Sequence, residues 1–210
     1  MTEERANRAG ITGASGRPRK NFHDVPLLVT VSKVKEECYR GYKEGDTFLF
    51  EDFTKTPPGF CQGAAAVLFP CLYGLTFGAE FRFEDNPRSI HTTCPDGGKV
   101  EFFTQVLDKS GNVVKGEKKD IQGPSPKKMI IGVEEVNGHC AYGYKPGDTI
   151  EITGLKTPEG FCGGAYNALF PVIFALNMGA RFPFSEDENA NLRVTCPDNG
   201  IIRFKVRRVE

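Results

Sequence analysis

The sequence predicts an α+β fold of two repeated β-β-α-β lobes, each with a buried helix on a small antiparallel sheet. Three observations carry this prediction: cysteines recur in register, strand-like segments recur around them, and one apolar run of helical length occurs in each copy. The recurring cysteines are Cys38, Cys61 and Cys94 in the first copy, and Cys140, Cys162 and Cys196 in the second. We expect the two lobes to pack as a pseudo-twofold pair.

The repeat divides the chain into four parts. Residues 1–24 are polar and rich in Gly, Arg and Ser, so we expect a flexible tail that lacks the apolar core of a secretory signal. The first lobe occupies residues 25–114 and the second occupies residues 128–210. Residues 115–127 contain Gly and Pro and predict the linker between them.

Each lobe is predicted to open with two strands joined by a Gly-containing turn that carries the first cysteine. The first strand is rich in Val, Ile or Leu, and the second follows a Gly-Asp-Thr sequence. The predicted strands are residues 26–35 and 46–50 in the first copy, and residues 128–136 and 148–152 in the second.

A Thr-Pro-x-Gly-Phe-Cys loop then places the second cysteine at the start of the predicted helix. The runs 62–78 and 163–179 are apolar on nearly every side, so we expect these helices to be buried rather than amphipathic. Pro70 and Pro171 predict a kink or a split within each helix. Glycines suited to a C-terminal cap follow at Gly78 and Gly179.

The third cysteine belongs to a Thr-Cys-Pro-Asp motif, which predicts a turn. A Phe-x-Phe segment and an acidic loop precede it, and a last strand follows at residues 100–106 and 201–206. In the first copy, residues 108–112 predict a hairpin turn that extends this strand.

The balance of charge argues against two classes of partner. Lys and Arg number 27, as do Asp and Glu, and the isoelectric point is about 6.8, so the chain has no overall preference for nucleic acid or an anionic membrane. No apolar run reaches the roughly 20 residues of a membrane span. Without an export signal we expect a cytoplasmic protein, in which clustered cysteines more often bind metal or perform redox chemistry than form disulfides.

The repeated cysteines predict a metal or iron–sulfur site in each copy. All of them lie at the ends of predicted elements, and the second lies where a helix dipole stabilises a thiolate. Structural zinc usually has four protein ligands, whereas each copy repeats only three cysteines. Three dispersed cysteines suit a [4Fe–4S] cluster with one iron left open or bound by another residue. The predicted ligands are Cys38, Cys61, Cys94, Cys140, Cys162 and Cys196.

Other interpretations stay open at the level of sequence. A zinc-binding structural or interaction module would take Asp or water as its fourth ligand, and a metal-free thiol-redox protein would need no further ligand. Candidate fourth ligands are Asp96 and Asp198, or Asp46 and Asp148. A closed cluster would pass electrons to a redox partner protein, whereas an open iron would act as a Lewis acid on a small-molecule substrate.

Cys71 has no cysteine counterpart, because Val172 occupies that place in the second copy. It falls in the middle of the predicted helix, and free cysteine is among the most buried residue types. We therefore expect Cys71 to pack in the core.

Each copy resembles a family of short, uncharacterised bacterial and archaeal three-cysteine proteins about one repeat long. The shared pattern is a Cys before Gly-x-Lys-x-Gly-Asp, then Pro-x-Gly-x-Cys, Leu-Phe-Pro and Cys-Pro-Asp. It occurs at Cys38, 41–46, 57–61, 68–70 and 94–96, and again at Cys140, 143–148, 158–162, 169–171 and 196–198. The resemblance implies a shared fold and cysteine site, with single-repeat relatives as homodimers and this chain as their tandem fusion.

Overall fold

The computed structural model describes residues 24–118 and 126–209. These residues form two helices and two four-stranded antiparallel sheets, which confirms the predicted α+β class. The predicted tail, apart from residue 24, and the middle of the predicted linker lie outside the described residues. Neither helix within the described ranges has the length and apolar character needed to cross a membrane.

The two halves have the same order of elements. The first contains β1 Leu27–Val34, β2 Thr47–Phe50, α1 Gln62–Thr76, β3 Ser89–Thr93 and β4 Val100–Val106. The second contains β5 Lys128–Val136, β6 Thr149–Thr153, α2 Gly163–Asn177, β7 Ala190–Thr195 and β8 Ile202–Val209. The sheet orders are β2-β1-β4-β3 and β6-β5-β8-β7, so the first and last strands of each half are central neighbours.

Each half has one strand more than predicted, so the lobe is β-β-α-β-β rather than β-β-α-β. The additional strands, β3 and β7, replace the end of the predicted acidic loop and lead directly into the Thr-Cys-Pro-Asp turn. Both lie at a sheet edge, where polar residues are common because only one side of the strand is paired. The sequence of β3, Ser-Ile-His-Thr-Thr, is therefore compatible with an edge strand even though it is mostly polar.

The prediction that the helices are buried on nearly every side is wrong for the first half of each helix. The later turns of α1 are buried, with Leu72 and Leu75 almost fully inaccessible. Up to the middle of α1, however, Val67 is 42% exposed and Phe69 is 38% exposed. These side chains line a groove that both helices share, so the first half of each helix is amphipathic.

Both helices run unbroken through their prolines, so the split that was one predicted outcome does not occur. Each helix has 15 residues, with Pro70 inside α1 and Pro171 inside α2. Proline lacks an N–H and deprives the carbonyl four residues earlier of its helical donor. Those carbonyls belong to Ala66 and Asn167, which are exposed residues of the same groove, so water can replace the missing donor.

The predicted glycine caps are confirmed. Gly78 and Gly179 have φ of +86° and +88°, which lie in the left-handed region that glycine adopts without strain. The Ala79 N–H donates to the Gly74 carbonyl at 2.9 Å, and the Ala180 N–H donates to the Ala175 carbonyl at 2.9 Å. These are the long-range bonds of a Schellman motif, which turns the chain sharply at the helix end.

Reciprocal hydrogen bonds join the two halves just beyond these caps. The Glu80 N–H donates to the Met178 carbonyl at 2.9 Å, and the Arg181 N–H donates to the Phe77 carbonyl at 2.9 Å. Glu80 and Arg181 occupy equivalent places in the repeat, as do Phe77 and Met178. Each half thus makes the same contact with the other, as in an isologous dimer interface.

Aromatic contacts between the two halves also occur in equivalent pairs. The rings of Tyr73 and Phe182 lie 5.8 Å apart between centroids, and those of their counterparts Phe174 and Phe81 lie 5.7 Å apart. The buried side chains of both halves form one continuous hydrophobic cluster. This pattern supports the predicted pseudo-twofold packing and makes the halves mutually dependent for burial.

The core position of Cys71 is confirmed, since the side chain is buried within α1. Burial raises the pKa of its thiol from 9.0 to about 12, because the apolar surroundings disfavour the thiolate. The unfolded chain releases this proton at a lower pH than the folded chain does. The stability that protonated Cys71 contributes is therefore present below about pH 9 and lost as the pH rises towards 12.

We predict that Cys71→Val, which copies Val172 of the second half, reduces this loss of stability at high pH. Between pH 8 and 10.5 the variant should lose about 1 to 2 kcal/mol less free energy of unfolding than the parent protein. Chemical denaturation at the two pH values measures this difference. If the free energy of unfolding fell by the same amount in both proteins, the result would contradict the burial of the Cys71 thiol.

Candidate functional site

The three repeated cysteines of each half line one cavity. In the first half Cys38, Cys61 and Cys94 share a cavity of about 250 Å³. In the second half Cys140, Cys162 and Cys196 share a cavity of about 140 Å³. All six are half-buried free thiols. Every cysteine predicted as a ligand therefore lies in the wall of its own half's cavity.

The second cysteine of each half is the N-cap of a helix. Cys61 has extended backbone dihedrals, and its carbonyl accepts the Ala65 N–H at 2.8 Å, which begins α1. The Cys61 side chain makes no capping hydrogen bond, and the first turn of α1 contains no acidic residue; Cys162 and α2 show the same features. The first N–H groups of each helix, and the positive end of its dipole, are therefore left for a negative group beside the cysteine.

A tyrosine hydroxyl holds each N-cap cysteine. The Cys61 N–H donates to Tyr42 Oη at 2.7 Å, and the Cys162 N–H donates to Tyr144 Oη at 3.1 Å. Each bond links the turn of the first cysteine to the helix start of the second. The sequence patterns do not predict this role for the tyrosine; the signal that could have indicated it is a Tyr at the same place in both copies.

Both tyrosines stay protonated at neutral pH. Burial raises the pKa of Tyr42, the hydrogen bond from the Cys61 N–H opposes that rise, and the electrostatic effect of the neighbouring Cys61 and Cys38 adds to it. Burial likewise raises the pKa of Tyr144, with the same opposing and added effects from Cys162 and Cys140. Each hydroxyl accepts an N–H and retains a proton of its own that it can donate.

The third cysteine of each half receives a backbone hydrogen bond at sulfur. The Val100 N–H donates to Cys94 Sγ at 3.4 Å, and the Ile202 N–H donates to Cys196 Sγ at 3.3 Å. Hydrogen bonds to sulfur stabilise a thiolate and are among the features that tune iron–sulfur clusters.

A glycine lets the third-cysteine loop approach the helix start. A Cβ added to Gly63 would lie 3.4 Å from Pro95 Cγ and 3.8 Å from Cys61 Sγ. At Gly164 the corresponding distances are 3.4 Å to Pro197 Cγ and 3.9 Å to Cys162 Sγ. A longer side chain at either glycine would occupy the space between the cysteine-bearing loops.

Of the candidate fourth ligands, only one pair lies at the cavities. Asp96 and Asp198 belong to the cavity walls. Asp46 and Asp148 instead fasten the first-cysteine turns, because each carboxylate accepts the N–H of the lysine three residues earlier, at 2.8 Å and 2.7 Å. Their role is in the turn.

Within residues 24–118 and 126–209, no group of three or more His, Cys, Asp or Glu side chains is already close enough together to hold a metal ion. In comparisons with known proteins, no family model, no curated protein and no solved structure matches the chain. Membership of the three-cysteine family therefore stays a prediction from the quoted motifs.

We predict that Tyr144→Phe lowers the free energy of unfolding by about 1 kcal/mol, because the half-buried Cys162 N–H loses its acceptor. Tyr142→Phe is the matched control, since Tyr142 is 54% exposed and its substitution should change stability by less than about 0.5 kcal/mol. Chemical denaturation of the metal-free protein measures both. Equal effects of the two substitutions would contradict a structural role for the Tyr144 hydroxyl.

Proposed function

We propose that each half binds an iron–sulfur cluster of the [4Fe–4S] type through its three repeated cysteines. The convergence of three thiols on one cavity, seen twice in the chain, is the observation that carries this proposal. The bound clusters would serve redox chemistry or a cluster-dependent reaction of a small molecule in the cytoplasm. The first role would need a redox partner protein, and the second would need a small-molecule substrate.

The groups around each cavity suit a negatively charged sulfur-rich ligand. The uncapped start of α1 offers backbone N–H groups beside Cys61, and Gly63 keeps that surface free of a side chain. Cys94 Sγ already accepts an N–H, as a ligand sulfur would. The protonated Tyr42 hydroxyl adds a donor that can reach a cluster sulfide or a substrate oxygen.

Three cysteines per cluster leave one of four irons without a thiolate. Asp96 and Asp198 line the respective cavities and are the residues of this chain suited to that iron. A bound cluster supplies one-electron transfer when all irons are held by the protein, or a Lewis acid when one iron binds a substrate. With Asp96 or Asp198 as a fourth ligand the cluster would be closed, and without it one iron would stay open to a substrate.

The zinc alternative would use the same thiols in a tighter arrangement. A tetrahedral zinc ion needs its sulfur ligands at about 2.3 Å from one common centre, with Asp96 or Asp198 as a fourth ligand. In a four-iron cluster each cysteine binds a different iron, so the sulfurs stand further apart. A metal-free thiol-redox protein would use the thiols directly.

Purification of the full chain without oxygen separates these functions. The cluster proposal predicts brown protein with broad absorbance near about 400 nm and equal amounts of iron and acid-labile sulfide. Colourless protein with stoichiometric zinc would instead establish the zinc module. Metal-free protein whose thiols oxidise reversibly would establish the thiol-redox function.

We predict that Cys162→Ala removes half of the bound iron and sulfide, because it deprives only the second cavity of a ligand. Cys71→Ala is the matched control and should leave the iron and sulfide content unchanged, since Cys71 lies in the core and outside the residues that line the first cavity. Metal analysis and absorbance measure both variants. Loss of iron in Cys71→Ala, or full iron content in Cys162→Ala, would overturn the ligand assignment.

A further inference from the structure

The two cavities differ in the residues that complete their walls. Arg40 and Lys99 line the first cavity, whereas Tyr142 and Ile201 hold the equivalent places in the second. The cysteines, the tyrosine acceptor and the Cys-Pro-Asp turn are common to both. Tyr39 also lines the first cavity where Ala141 lines the second, but the difference in charge comes from Arg40 and Lys99, whose counterparts are uncharged.

Both cations lie close to the proposed cluster ligands. Arg40 follows Cys38 by two residues and lines the same cavity. Lys99 Nζ contacts Asp96 Oδ2 at 3.1 Å, and Glu36 is a second carboxylate in its surroundings. Lys99 and Asp96 form a surface pair that solvent screens, so Lys99 can be shared with a ligand.

These charges matter because a cluster held by three thiolates is itself negative. A second anion approaching the open iron meets that charge at short range in a partly desolvated cavity, where repulsion is strong. A guanidinium and an ammonium in the wall offset the repulsion and donate charged hydrogen bonds. Tyr142 and Ile201 offer no such compensation in the second cavity.

We propose that the first cavity, unlike the second, binds a small carboxylate at the open iron of its cluster, with Arg40 and Lys99 holding the negative charge. This inference rests on the cluster proposed above. The carboxylate oxygen would bind iron and displace Asp96 from Lys99. The second cluster, without these cations, would then be confined to electron transfer or to uncharged ligands.

The test uses two full-length proteins that each keep one cluster. Cys162→Ala retains the first cluster and Cys61→Ala retains the second. Each is loaded with iron and sulfide, checked by absorbance, reduced, and titrated with lactate at constant ionic strength while its electron paramagnetic resonance spectrum is recorded. Lactate should shift the spectrum of the first cluster and leave that of the second unchanged.

Exchanging the wall residues sharpens the test. Arg40→Tyr with Lys99→Ile should weaken lactate binding to the first cluster by about tenfold or more. The reverse exchange, Tyr142→Arg with Ile201→Lys, should confer a response to lactate on the second cluster. Equal responses of the two clusters, no response of the first, or indifference to both exchanges would overturn the inference. Absence of cluster absorbance before lactate is added would instead remove the proposed function and this inference together.

Discussion

The hydrogen bond from the N-cap cysteine to a tyrosine hydroxyl is the contact on which each site depends. It ties the turn that carries the first cysteine to the start of the helix, where the second cysteine lies. The third cysteine reaches the same place because a glycine at the helix start lets its proline approach. Without these two close contacts, the three thiols would belong to separate loops. The cavity is thus a consequence of how the helix begins.

The opposite ends of the same helices hold the molecule together. Beyond the Schellman caps, Glu80 and Arg181 exchange equivalent backbone hydrogen bonds with the other half. Among the residues that the structure describes, those that line each cysteine cavity, in contrast, all belong to one half. The contacts between the halves and the proposed ligand site therefore lie at opposite ends of each helix. This separation allows Arg40 and Lys99 to differ from Tyr142 and Ile201 without disturbing the shared core.

The features that the sequence predicts correctly are those that interactions between neighbouring residues determine. The first strand of each half, the helix start and the glycine caps follow from local patterns and occur where expected. The sequence does not indicate strand β3, because an edge strand tolerates a polar sequence. Apolar composition overestimates the burial of the helices, because it cannot show which turns pack against a neighbouring element. Nor could the sequence reveal that Tyr42 accepts the Cys61 N–H, since that contact joins residues brought together only by folding.

Anomalous diffraction at the iron edge, from crystals of the full chain grown without oxygen, tests the account most directly. We predict one compact group of iron atoms in each cavity, each group bonded to the three cysteine sulfurs of its own half. Asp96 and Asp198 should be the nearest protein oxygens to the iron that lacks a thiolate. Iron bound elsewhere, a single zinc ion in each cavity, or disulfides among these cysteines would contradict the central claim.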